Sequence, residues 1–221
     1  MKYLKRFNED IESIYPYFKA DTLKTLNTFK KREKYCNDTL KRISSGSSRA
    51  VYQLNDTMVL KLAKNTKGLE QNCNEQEEWL QKQYGAILTK FYYKYYDETL
   101  DDYIWIISEY AKGITKQRFQ EIIGVPFDDY VHYISERYYG NRGNSALAKT
   151  HKNYLSPEII KSIEAEYDRD NFIETVCGII ADNDLHVGDL SRIGSYGEVI
   201  REGYPTVVIR DYGATDGYFE K

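Results

Sequence analysis

Leu4, Phe7, Ile11 and Ile14 recur at intervals of three and four, the spacing that gathers side chains on one helix face. Pro16 interrupts that helix, and Asp21 is placed to cap a second one carrying Leu23, Leu26 and Phe29. Residues 1–39 therefore read as a helical extension. From Leu40 the apolar runs shorten. Residues 40–44, 50–54 and 58–63 are strand candidates, with Ser45-Gly46-Ser47-Ser48 and Asn55-Asp56 as the turns between them. Residues 69–84 return to a helical period, with Leu69, Cys73, Gln76 and Leu80 on one face and Glu75 and Trp79 on an adjoining one. Residues 88–96 and 103–109 read as two further strands joined through Asp97-Glu98-Thr99.

Beyond residue 110 the pattern is mainly helical. Residues 115–123 and 126–139 are helix candidates, the second opening with Pro126 and with Asp128 and Asp129 where a helix dipole favours negative charge. Residues 140–153 hold Gly, Asn, Arg and Ser without periodicity and read as a mobile insertion. Ser156-Pro157-Glu158 opens another helix. Phe172, Val176, Ile179 and Ile180 then mark an amphipathic one that runs straight into Asp184. A hairpin-like segment and the apolar strand Val207-Val208-Ile209 follow.

Composition narrows the class. With 221 residues, 41% hydrophobic and 29% charged, the chain is long enough for a sizeable core without disulfides. The formal net charge of −3 calls for neither nucleic acid nor an anionic membrane as partner. Cys36, Cys73 and Cys177 are widely spaced and form no C-x-x-C, which argues against a disulfide framework and a zinc site and suits a reducing compartment. No apolar run approaches the roughly 18 residues of a membrane span, and Met1 to Arg6 lacks the apolar core of a signal peptide. A cytoplasmic location is expected. Lys30, Lys31, Arg32 and Lys34, with Glu33 among them, read as a solvated helix face rather than a phosphate patch. The 22 tyrosines suit core edges whose hydroxyls reach water.

The candidate chemistry lies in Asp184-Leu185-His186-Val187-Gly188-Asp189 and in Asp211-Tyr212-Gly213 after the last strand. The first resembles the D-L-x-x-x-N catalytic loop of protein kinases, with Asp189 in place of asparagine, and the second their D-F-G with one aromatic exchanged. Ser44-Ser45-Gly46-Ser47-Ser48-Arg49-Ala50-Val51 resembles the glycine-rich loop G-x-G-x-x-G-x-V, keeping one glycine and the valine, with Arg49 where the third glycine would stand. Met58-Val59-Leu60-Lys61 is similar to V-A-I-K, and residues 105–110 to the hinge. Five degenerate motifs thus occur in kinase order across residues 40–213. The chain resembles the protein-kinase-like superfamily, most of all short bacteriophage kinase-like proteins that also stop soon after a D-Y-G.

That resemblance implies an α+β, two-lobed fold: a five-stranded antiparallel sheet with one αC-type helix over residues 40–110, and a truncated, mainly helical lobe over 111–221. It implies ATP and Mg2+ as cofactors. Lys61 would reach the α- and β-phosphates, positioned by Glu75, beside which Trp79 four positions later would pack, with Glu78 in reserve. Asp184 would accept the proton of the attacking hydroxyl, and Asp189 and Asp211 would hold the metal. Ser45, Gly46, Ser47 and Val51 would line the phosphates and adenine, and backbone groups of Glu109 to Ala111 would bond the adenine edge. His186 is either a phosphate or metal contact or a side chain satisfied by its own loop.

Two features depart from the pattern. Asp182-Asn183 stands where His-Arg usually precedes the base, and only eight residues follow Gly213, so the kinase substrate platform is not expected. The activity implied is phosphate transfer from ATP to a hydroxyl on a protein or small molecule. The alternative is a pseudokinase that binds nucleotide or a partner without catalysis, and a third reading is a structural domain with no nucleotide pocket. If the source is viral, the compartment becomes the host cytoplasm.

Overall fold

The computed structural model describes residues 17–98, 100, 102–139, 155–170, 172–183, 185 and 187–213. The periodic segment from Leu4 to Ile14 and the insertion at 140–153 lie outside the described residues. The chain divides into two compact units, one comprising residues 1–81 and 89–110 and the other residues 82–88 and 111–221. No helix of the described residues is long and apolar enough to cross a membrane.

The first unit is built on strands β1 (Lys41–Ser45), β2 (Arg49–Gln53), β3 (Met58–Ala63), β4 (Phe91–Asp97) and β5 (Asp102–Glu109). They form one antiparallel sheet in the order β1-β2-β3-β5-β4. The central strand β3 is buried from Val59 to Ala63, both faces covered, so its run of Val, Leu, Lys, Leu and Ala shows no polar alternation. Helices α1 (Ala20–Thr25) and α2 (Phe29–Thr39) precede the sheet. They belong to the same core: Phe18, Leu23 and Cys36 pack with Tyr52, Leu54, Leu60 and Trp105. The Trp105 ring lies between Tyr93 and Tyr95, with centroids 5.3 and 5.5 Å away.

Several local expectations change here. Asp21 is not a cap but a first-turn residue; Lys19 holds the cap position without a side-chain bond. The second helix is capped instead by Thr28, whose hydroxyl accepts from the Lys31 amide at 3.2 Å. Arg32, expected on a solvated face, is 2% exposed and meets Asp97 at 2.5 Å. The single helix expected over 69–84 is two, α3 (Thr66–Glu75) and α4 (Glu78–Tyr84). No glycine or proline marks the break. It falls where Asn72 and Gln76 bond to groups of β5 and β4: Asn72 donates to the Tyr103 and Ile104 carbonyls, and Gln76 accepts from Lys94. Gly68 brings the first turn of α3 against the β1–β2 hairpin, where a Cβ would sit 2.3 Å from the Ser48 carbonyl oxygen.

The second unit contains β6 (Lys112–Gly113), α5 (Lys116–Ile123), α6 (Phe127–Tyr139), α7 (Pro157–Asp170), α8 (Phe172–Asn183) and α9 (Val187–Leu190). A 3-10 turn (Ile193–Ser195) leads to β7 (Tyr196–Arg201) and β8 (Tyr204–Ile209). Thr115 caps α5, and Gly124 ends it in the left-handed region at φ 86°. A three-stranded antiparallel sheet, β6-β7-β8, accompanies these helices; only its last strand is legible in the apolar pattern. Phe119, Phe127, Tyr130, Phe172 and Tyr196 form one aromatic cluster that joins α5, α6, α8 and β7. The expected α+β class, with a five-stranded antiparallel sheet and a mainly helical remainder, is the class observed, and α1 and α2 share the sheet's core in addition to α3.

Candidate functional site

Strand β3 carries Lys61 into the first unit, where its residue is 4% exposed. A buried ammonium is tolerated only against an anion. That anion is Glu75 on α3, itself 1% exposed, whose Oε2 lies 2.5 Å from the Lys61 Nζ. Glu78 is exposed on α4. The helix does not run on from Glu75 to Trp79 as the spacing suggests: it ends at Glu75, and Trp79 is 39% exposed on α4. What flanks Glu75 instead is Arg49, whose Nη2 lies 2.6 Å from the second carboxylate oxygen. Val51 sits opposite Lys61 on β2 and is half-buried.

Ser45, Gly46 and Ser47 are exposed in the β1–β2 hairpin. The Gly46 amide donates to the Arg49 carbonyl at 2.9 Å, which closes the hairpin. The corner after β3 fastens the same loop. Lys64 Nζ donates to the Gly46 carbonyl at 2.8 Å, Asn65 donates to the Ser47 carbonyl at 3.1 Å, and Ser48 donates to Gln71 at 2.8 Å. At the end of β5 the Glu109 amide donates to Lys90 and the Tyr110 amide to Thr57, both at 2.8 Å.

The second unit holds the acids. Asp184 and His186 lie outside the described residues. Asp189 sits in α9, its side chain 27% exposed and 3.9 Å from Arg192. Asp211 follows β8 and is exposed, while Tyr212 and Gly213 are buried. Ser195 links the two segments: its hydroxyl donates to the Asp189 carbonyl at 2.6 Å, and its carbonyl accepts from the Arg210 amide at 2.7 Å. The Arg210 guanidinium donates to the Gly194 carbonyl at 2.5 Å and to that of Ala111 at 3.4 Å. From the aromatic cluster, the Tyr196 hydroxyl donates to the Leu190 carbonyl at 2.9 Å and pairs with Tyr130. The described residues hold no group of three or more His, Cys, Asp or Glu placed for a metal. Magnesium asks for less: one or two carboxylates, with phosphate and water completing its shell. Asp189 and Asp211 suit it by chemical type.

Asp182, where the kinase pattern has a supporting pair, accepts from the Tyr84 hydroxyl and, at 3.0 Å, from Gln83. Tyr84 also lies under Gly178, where a Cβ would come within 3.2 Å of its ring. The last turns of α8 are thus anchored by residues 83 and 84. Burial and the Asp182 carboxylate push the Tyr84 phenol up to about 12. An unfolded tyrosine ionises near its ordinary value of about 10, so above that pH the unfolded chain releases a proton that the folded chain retains. Stability should therefore fall as pH rises from 10 towards 12, and Tyr84→Phe should flatten that part of the profile in urea titrations at stepped pH.

No protein-family model matches the chain, and no curated protein sequence matches it. Solved structures do resemble it. The GDP complex of aminoglycoside 2'-phosphotransferase-IIIa aligns over 85% of this chain and 73% of its own, at 11% identity and TM-score 0.41. A GDP and kanamycin complex of APH(2'')-IIIa aligns over 94% and 72%, at 11% identity and TM-score 0.40. A streptomycin–ATP complex of APH(2'')-IIa aligns over 86% and 72%, at 14% identity and TM-score 0.32.

Proposed function

We propose that this protein is an ATP- and magnesium-dependent phosphotransferase acting on a hydroxyl of a small molecule or protein. The observation that carries the reading is the buried Lys61–Glu75 pair, one partner on the central strand of a five-stranded sheet and the other on the helix against it. Phosphoryl transfer requires little covalent work from the protein; it needs phosphates held and charge compensated. Lys61 supplies a cation held by a fixed carboxylate. Asp189 and Asp211 supply hard oxygens for magnesium, which would neutralise phosphate charge when bound. Asp184 is assigned the base by its place in the sequence motif. Ser45, Gly46, Ser47 and Val51 are assigned to the phosphate and adenine side, and Glu109 to Ala111 to the adenine edge.

Mg-ATP at a hundredfold its dissociation constant should stabilise the fold by about 2.7 kcal/mol, read as a rise in Tm that EDTA diminishes and Lys61→Met abolishes. Transfer should then be sought from labelled ATP to an acceptor panel that includes kanamycin and streptomycin, with Asp211→Ala as the inactive control. Stabilisation without transfer to any acceptor would favour the pseudokinase reading. No stabilisation at millimolar nucleotide would remove both.

A further inference from the structure

We infer that Arg49 is a positioning residue for Lys61, acting through Glu75; the inference rests on the nucleotide-binding reading above. Pairing of β2 with β3 sets Arg49 opposite Ala63 and Val51 opposite Lys61. Residues two apart on a strand share a face, so Arg49 and Lys61 lie on one face of the sheet, diagonal to each other. Helix α3 lies against β3 and β5 and brings Glu75 to both cations. Each takes a different oxygen: Arg49 holds Oε1 at 2.6 Å, and Lys61 holds Oε2 at 2.5 Å. A carboxylate gripped on one oxygen can rotate about its terminal bond. Gripped on both, it fixes the point to which the lysine is tied, and it offers the ammonium a single oxygen.

The Arg49 side chain is anchored in its turn. Its Nη1 reaches Asn72 Oδ1 at 3.4 Å, and the Asn72 amide donates to the Tyr103 and Ile104 carbonyls of β5 at 3.0 and 3.2 Å. A planar guanidinium fork holds two acceptors in a fixed geometry that a flexible ammonium does not impose. The Arg49 backbone closes the hairpin by accepting the Gly46 amide. Residue 49 therefore ties the hairpin, α3 and the lysine of β3 into one unit.

The test compares the affinities of wild type, Arg49→Lys and Arg49→Met for Mg-ATP and for adenosine, by displacement of a fluorescent ATP analogue. Adenosine has no phosphates for Lys61 to hold, so a displaced lysine weakens ATP and spares adenosine. The ratio of ATP to adenosine affinity should fall about tenfold in Arg49→Met, the loss of roughly one charge-assisted hydrogen bond, and Arg49→Lys should fall between. A ratio unchanged from wild type in Arg49→Lys or Arg49→Met overturns the inference, as does an equal loss for both ligands. If Arg49→Met does not fold, the ratio in Arg49→Lys decides alone. Wild type that binds no Mg-ATP refutes the nucleotide reading itself and takes this inference with it.

Discussion

Glu75→Ala should destabilise the protein by about 3–5 kcal/mol, the range for removing one partner of a buried ion pair. Two cations, Arg49 and Lys61, pair with this carboxylate, and both are almost fully buried. A guanidinium stays charged at any accessible pH, so the loss at Arg49 is not relieved by a change of charge. Lys61→Met should be milder, because Glu75 keeps Arg49 and methionine fills similar volume. Glu75→Gln should fall between, since an amide oxygen still accepts one hydrogen bond. Urea unfolding followed by circular dichroism gives the order directly, with m-values near wild type expected for all three. A Glu75→Ala protein within 1 kcal/mol of wild type, a threshold set by ordinary surface substitutions at about 0.5 kcal/mol, would show that these cations are satisfied elsewhere.

How this arrangement could be read beforehand differs from residue to residue. The five strands are visible because short apolar runs are punctuated by Ser45-Gly46-Ser47-Ser48 and Asn55-Asp56. Lys61 stands out because it interrupts an apolar run; a helix glutamate as its partner is what the resemblance implies, and the choice of Glu75 leans on the spacing to Trp79. The spacing argument that named Trp79 as packing neighbour rested on a helix that stops at Glu75. Arg49 appeared in the sequence only as a defect in a glycine-rich loop. Arg32 appeared only as one of four basic residues. Both have their partners far along the chain, 26 and 65 residues away, and helical or strand periodicity carries no information at that range. The three-stranded sheet of the second unit is hidden for a related reason: β6 is two residues long and exists only through its pairing with β7.

Arg32 carries the other large effect. Its Nη2 meets Asp97 Oδ2 at 2.5 Å, holding α2 to the end of β4 with only 2% of the residue exposed. Asp97 does further work at the β4–β5 turn, where its carbonyl and its Oδ1 accept from the Leu100 amide at 3.1 and 3.3 Å. Asp97→Ala should therefore cost about 3–5 kcal/mol, because a guanidinium that cannot deprotonate is left buried and the turn loses a side-chain bond. Arg32→Met should cost less. It removes the buried cation together with its need for a partner. The double variant is the decisive one: its loss should fall short of the sum of the two single losses, by a double-mutant-cycle coupling of about 0.5–3 kcal/mol. If the two single losses simply add, the pair holds nothing between them. Docking of α2 would then rest on the apolar contacts of Cys36 and of its C-cap residue Leu40 with the sheet core.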